Sequence, residues 1–88
     1  QLQMKMDYKI SNRALINSIY SVQNEIKRIE KLNRKTTSEK DLQTNGEILL
    51  ELQRTFGELC QGYKQRCKSD QTLPSLNQLL NSDKNARK

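Results

Sequence analysis

Between Tyr8 and Ile29 the apolar residues recur at steps of seven, four and three: Tyr8, Leu15, Ile19, Val22, Ile26 and Ile29. Such spacing puts every one of them on a single narrow stripe of an α-helix, the width of a coiled-coil seam rather than of a broad buried face. In a heptad frame Ile19 and Ile26 take position a, and Tyr8, Leu15, Val22 and Ile29 take d, while Asn12 and Asn33 also land at a. The spacing predicts a first helix over 5–34, preceded by a frayed 1–4. Lys31, Arg34 and Lys35 gather near its end, where cations complement the helix dipole.

A second run follows at steps of three and four: Leu49, Leu52, Phe56, Leu59 and Tyr63. It predicts a second amphipathic helix over 45–68. Between the two lies the polar stretch KTTSEKDLQTNGE, read as a connection over 35–44. Two caps compete for the start of the second helix. Ser38-x-x-Asp41 is one, and Thr44-x-x-Glu47, a capping box in form, is the other. Gly57 and Gly62 lie inside the second run, each unfavourable by about 1 kcal/mol against Ala, so the helix is weak there or something packs closely on it.

The two stripes match when laid antiparallel. Ile29 pairs with Leu52, Ile26 with Phe56, Val22 with Leu59, Ile19 with Tyr63 and Leu15 with Cys67, five layers without a slip. The fold class expected is therefore all-α, an antiparallel helical hairpin of coiled-coil-like character. The competing arrangement is one long helix in a parallel dimer, with Asn12 and Asn33 setting register. The Thr/Ser/Asn-Gly break argues for the hairpin. In that register Lys27–Arg34 lies beside Glu47 and Glu51. A bare hairpin leaves Ile16, Tyr20, Leu32, Ile48 and Leu50 pointing partly elsewhere, so a second copy, a partner's helices or the chain's own tail should cover them.

That tail, residues 69–82, contains a leucine-rich segment. Leu73, Leu76, Leu79 and Leu80 share one face of a short helix predicted from Pro74 to Asn81, capped by Thr72 or Ser75, with 83–88 a frayed polar end. Leu76, Leu79 and Leu80, with Asn77 and Gln78 between, resemble the LxxLL box by which transcriptional coactivators insert a helix into an apolar groove. A helix so short is not stable alone in water, so its leucines must pack on something. A docking helix for a partner and a third helix closing the hairpin are the two readings.

Composition narrows the chemistry. With 88 residues, 33% of them hydrophobic, 30% charged and only four aromatic, the chain has little core of its own, and association is the usual remedy. It begins at Gln1 and reads as an excerpt of a longer protein. There is no His, no Gly-rich phosphate loop and no pocket-forming carboxylate pair, so an enzyme, a cofactor and a small-molecule substrate are not expected. Cys60 and Cys67, seven apart on a helix, stand roughly 10 Å from one another, too far for a disulfide and without partners for a metal site. They read as reduced thiols of an intracellular protein. No run is apolar enough for a membrane span.

The formal charge of +6 favours acidic partners. Lys27, Arg28, Lys31, Arg34 and Lys35 form a patch able to contact phosphate, interrupted by Glu25 and Glu30. The function expected is a non-enzymatic protein–protein interaction or oligomerisation module of a larger nuclear regulatory protein, associated with transcription or chromosomes. Its seam would be Leu15, Ile19, Val22, Ile26, Ile29, Leu49, Leu52, Phe56, Leu59 and Tyr63. The alternative is a basic helical nucleic-acid-binding element.

Overall fold

The computed structural model describes residues 10–86, and side-chain packing for residues 10–81. Three helices follow in order: α1 Asn12–Lys35, α2 Glu39–Ser69 and α3 Leu76–Ala86. The described residues form no strand. The two long helices pack against each other as an antiparallel hairpin, and α3 folds back onto it.

Each helix begins where a side chain can take an orphan N–H. Ser11 Oγ accepts from the Ala14 N–H at 3.0 Å, so α1 starts at Asn12 rather than near Lys5; residues 5–9, including Tyr8 of the predicted stripe, lie outside the described residues. At its other end Thr36 Oγ1 donates to the Leu32 carbonyl at 2.9 Å and the Thr36 N–H to the Asn33 carbonyl at 3.3 Å. The chain leaves the helix there.

The connection is only 36–38, not 35–44. Ser38 Oγ accepts from the Asp41 N–H at 3.2 Å, and Glu39 and Asp41 sit in the first turn, where carboxylates complement the positive end of the dipole. Of the two candidate caps, Ser38 is used, and Thr44 lies inside α2. Asn45 and Gly46, which as a pair suggest a turn, are absorbed into the helix. One reason is visible: Asn45 Nδ2 donates to Asn33 Oδ1 at 2.9 Å, across the hairpin. At the open end Arg66 donates to Asn12 Oδ1 at 3.0 Å and to the Ile10 carbonyl at 2.6 Å. Polar bonds at both ends thus pin the register that the apolar stripes define.

Asp70 ends α2. Its carboxylate accepts from the N–H and hydroxyl of Thr72, which holds its pKa below the ordinary carboxylate value. Pro74 precedes α3 instead of entering it. Ser75 and Gln78 then form a reciprocal capping box: Ser75 Oγ accepts from the Gln78 N–H at 3.1 Å, and Gln78 Oε1 from the Ser75 N–H at 2.9 Å. With that start α3 runs to Ala86, through the stretch from Asp83 expected to fray.

The core gathers at the end of the hairpin away from the 36–38 connection. Leu15, Ile19, Tyr63 and Leu79 are buried together, ringed by half-buried Ile16, Tyr20, Phe56, Leu59, Cys67, Leu73, Leu76 and Leu80. Ile29 is the one other buried apolar residue among those described, farther along the seam. Each such burial is worth about 1.5–3 kcal/mol. A Cβ built on Gly57 or Gly62 meets nothing within 4 Å, so neither glycine serves a close approach inside this chain.

Candidate interaction surface

The leucines of the tail face the hairpin. Leu79 is buried in the core, and Leu73, Leu76 and Leu80 pack against it. Two phenols fasten this segment by its backbone. Tyr20 donates to the Leu79 carbonyl at 2.9 Å and Tyr63 to the Pro74 carbonyl at 2.6 Å. The Cys67 thiol reaches the same Pro74 carbonyl at 3.5 Å. Tyr63 is fully buried, and burial first, then the neighbouring Cys67 thiol, pushes its pKa up to about 12. The sequence contains these tyrosines at seam and near-seam positions, but nothing in their spacing announces that their hydroxyls fix a third element.

The ten seam residues lie between α1 and α2 or at their margin. Leu15, Ile19, Ile29 and Tyr63 are buried, and Val22, Ile26, Leu49, Leu52, Phe56 and Leu59 are half-buried. The fully buried four are shielded by the chain itself. Of the five residues a bare hairpin leaves uncovered, α3 takes two, Ile16 and Tyr20, into the core cluster. The other three stay exposed: Leu32 at 47%, Ile48 at 41% and Leu50 at 53%, with Leu42 beside them at 38%. All four lie in the half of the hairpin near the 36–38 connection. This is the uncovered apolar surface of the molecule among the described residues of the two long helices, apart from Ile10 at the open end.

Charge divides across this half. Lys27, Arg28, Lys31, Arg34 and Lys35 are all exposed on α1. The pairing of this stretch with Glu47 and Glu51, expected from the register, does not form. At about 100° per residue Glu47 and Glu51 fall on the outward side of α2, away from the seam. Arg28 instead grips Glu25 on its own helix, with contacts of 2.7 and 2.9 Å, which lowers the Glu25 pKa and raises that of Arg28. Glu51 approaches Arg54 at 4.0 Å. Among the described residues Lys27, Lys31, Arg34 and Lys35 make no ion pair. A shallow hollow of about 200 Å³ lies where Leu32 sits among Arg28, Lys31 and Lys35.

A hollow at the open end, about 380 Å³, is lined by Asn12, Gly62 and Arg66 among others, and Arg66 is engaged by Asn12 and Ile10. Among the described residues no three His, Cys, Asp or Glu side chains cluster as metal ligands. Cys60 and Cys67 are free thiols, and burial raises the pKa of Cys60. Among the described residues no helix is long and apolar enough to cross a membrane.

No family model, curated protein or solved structure matches this chain. The functional reading therefore rests on the class the fold and surface define, a three-helix hairpin module with one end closed and the other apolar and charged.

Proposed function

We propose that this chain is a non-enzymatic protein–protein interaction or oligomerisation module, part of a larger nuclear regulatory protein associated with transcription or chromosomes. One observation carries the interaction reading. The chain spends its own third helix on one end of the hairpin and leaves Leu32, Ile48 and Leu50 exposed at the other. Large apolar side chains left exposed on helices amid charged residues are common at interfaces. The nuclear setting draws its support from the basic, His-free, Lys- and Asn-rich composition.

A photo-crosslinking residue at position 32 or 50 of the chain, expressed in its host cell, tests the reading. Covalent adducts to protein, absent when the probe is placed at exposed Gln61 on the other half of α2, are expected. Equal labelling from all three positions contradicts the surface assigned.

A second reading has its own observation. Lys27, Lys31, Arg34 and Lys35 lack ion-pair partners among the described residues, as a nucleic-acid-binding face would require. Salt titration separates the two. Micromolar or tighter binding to a DNA or RNA duplex at physiological salt, with a steep log–log slope, supports nucleic-acid binding, and binding confined to low salt opposes it.

A further inference from the structure

One lane of α1 carries no carboxylate from end to end. At about 100° per residue, Arg13, Lys27, Arg28, Lys31, Arg34 and Lys35 fall within an arc of about 140° on the side away from the seam. Asn17, Ser21 and Asn24 lie in the same arc, between Arg13 and Lys27. All of these residues are exposed. At 1.5 Å per residue the lane is about 33 Å long. Glu25 and Glu30 lie off its two edges, and Glu25 is held by Arg28. The outward lane of α2 is built differently. There Glu47, Glu51 and Glu58 are interspersed with Arg54, Lys64 and Lys68, and Glu51 approaches Arg54 at 4.0 Å. The formal excess of +6 is thus matched in full by the six cations of the α1 lane.

We propose that this lane lies along the backbone of double-stranded nucleic acid and grips its phosphates without reading its sequence. The inference rests on the nucleic-acid reading above and gives that reading a face that reaches Arg13, a form of ligand and a salt slope. Lysine and arginine neutralise phosphates and release their counterions. The amides of Asn17 and Asn24 and the hydroxyl of Ser21 can donate to phosphate or sugar oxygens, the contacts that position a protein on a duplex.

What the lane lacks selects a duplex over the other anionic partners. Single strands are held by stacking their bases on aromatic rings. Tyr20 is the one aromatic residue of α1, and it is turned under α3 with its hydroxyl on the Leu79 carbonyl. Membrane insertion calls for a row of large apolar side chains. Ile16 is packed under α3, and only Leu32 stands exposed beside the cations. An acidic protein partner calls for an apolar centre to the contact, whereas the middle of this lane is Asn17, Ser21 and Asn24. Its length also fits one turn of a duplex, roughly 34–36 Å.

Fluorescence anisotropy of the full chain against labelled duplexes of about 20 base pairs, two turns, provides the test, with helicity followed alongside. DNA and RNA duplexes form separate arms. A single strand of the same length, polyglutamate and phosphatidylserine vesicles are the other probes. The wild type is expected to bind duplexes of unrelated sequence alike, in the micromolar range at physiological salt, with a log–log slope of about −4 to −5. The single strand should bind about tenfold more weakly. Binding to either duplex satisfies the proposal, and the two arms say which is preferred. Lys27→Gln with Lys31→Gln should flatten the slope by about two, and Arg13→Gln by about one. Lys64→Gln with Lys68→Gln removes the same charge from α2 and should leave the slope unchanged. Duplex binding that the α2 pair weakens as much as the α1 variants do overturns the lane and leaves the nucleic-acid reading standing. A single strand, polyglutamate or vesicles bound as tightly as the duplex overturn the choice of ligand. No duplex binding at physiological salt removes both the inference and the reading beneath it.

Discussion

Tyr63 does more than fill the core. Its ring is buried between the two long helices and its hydroxyl holds the start of the third segment through the Pro74 carbonyl. Burial favours the neutral phenol, so the folded chain keeps this proton to about 12 while an unfolded chain releases it near the ordinary 10.0. The stabilisation is whole below pH 10.0 and is lost as pH rises through about 12. Urea melts across that range should show a loss of stability that Tyr63→Phe largely abolishes, while Tyr63→Phe itself lowers stability at neutral pH by about 1 kcal/mol through the lost hydrogen bond. Gln23 runs the other way. Its Oε1 is buried without a hydrogen-bond partner, a deficit of about 1–3 kcal/mol. Gln23→Met should raise the midpoint of thermal unfolding. Gly57→Ala should do the same, by about 0.5–1 kcal/mol, because the added methyl meets only open space.

At the scale of elements, α3 is the piece to test. Leu79→Ala removes a buried side chain from the core cluster and should cost about 2–5 kcal/mol in a denaturant melt. Ser75→Ala breaks the capping box and should cost about 1 kcal/mol. Hydrogen exchange would then show protection lost in α3 before α1 and α2. The existence of α1 and α2 and their pairing were legible from the repeating stripe, since five apolar layers admit one antiparallel register. Their boundaries were less so. The start of α2 was obscured because Asn45-Gly46 carries a strong local turn signal, and the cross-helix bond from Asn45 to Asn33 that overrides it is invisible in a single stretch of chain. The extent of α3 was obscured because "SDKNA" is polar, and its helicity follows from the cap at Ser75 and the docking of the leucines before it.

For the whole molecule, the sequence identifies five apolar residues a hairpin cannot cover, and the fold sorts them. Ile16 and Tyr20 go under α3, and Leu32, Ile48 and Leu50 remain in solvent. Which of the five would be taken was not readable from spacing, because it depends on the direction in which the chain turns after Asp70. The LxxLL resemblance of Leu76–Leu80 leaves two readings, a docking helix and a third helix closing the hairpin, and in the fold these leucines are turned toward the hairpin. The interaction surface proposed here therefore falls at the opposite end from that motif. The most direct test of this division of labour compares Leu79→Ala with Leu50→Ser in denaturant melts of the intact chain. Leu79→Ala, which empties a place in the core, should cost about 2–5 kcal/mol, while Leu50→Ser, at a side chain 53% exposed, should leave stability undiminished. Equal losses from the two, or a Leu50→Ser variant that unfolds, would contradict it.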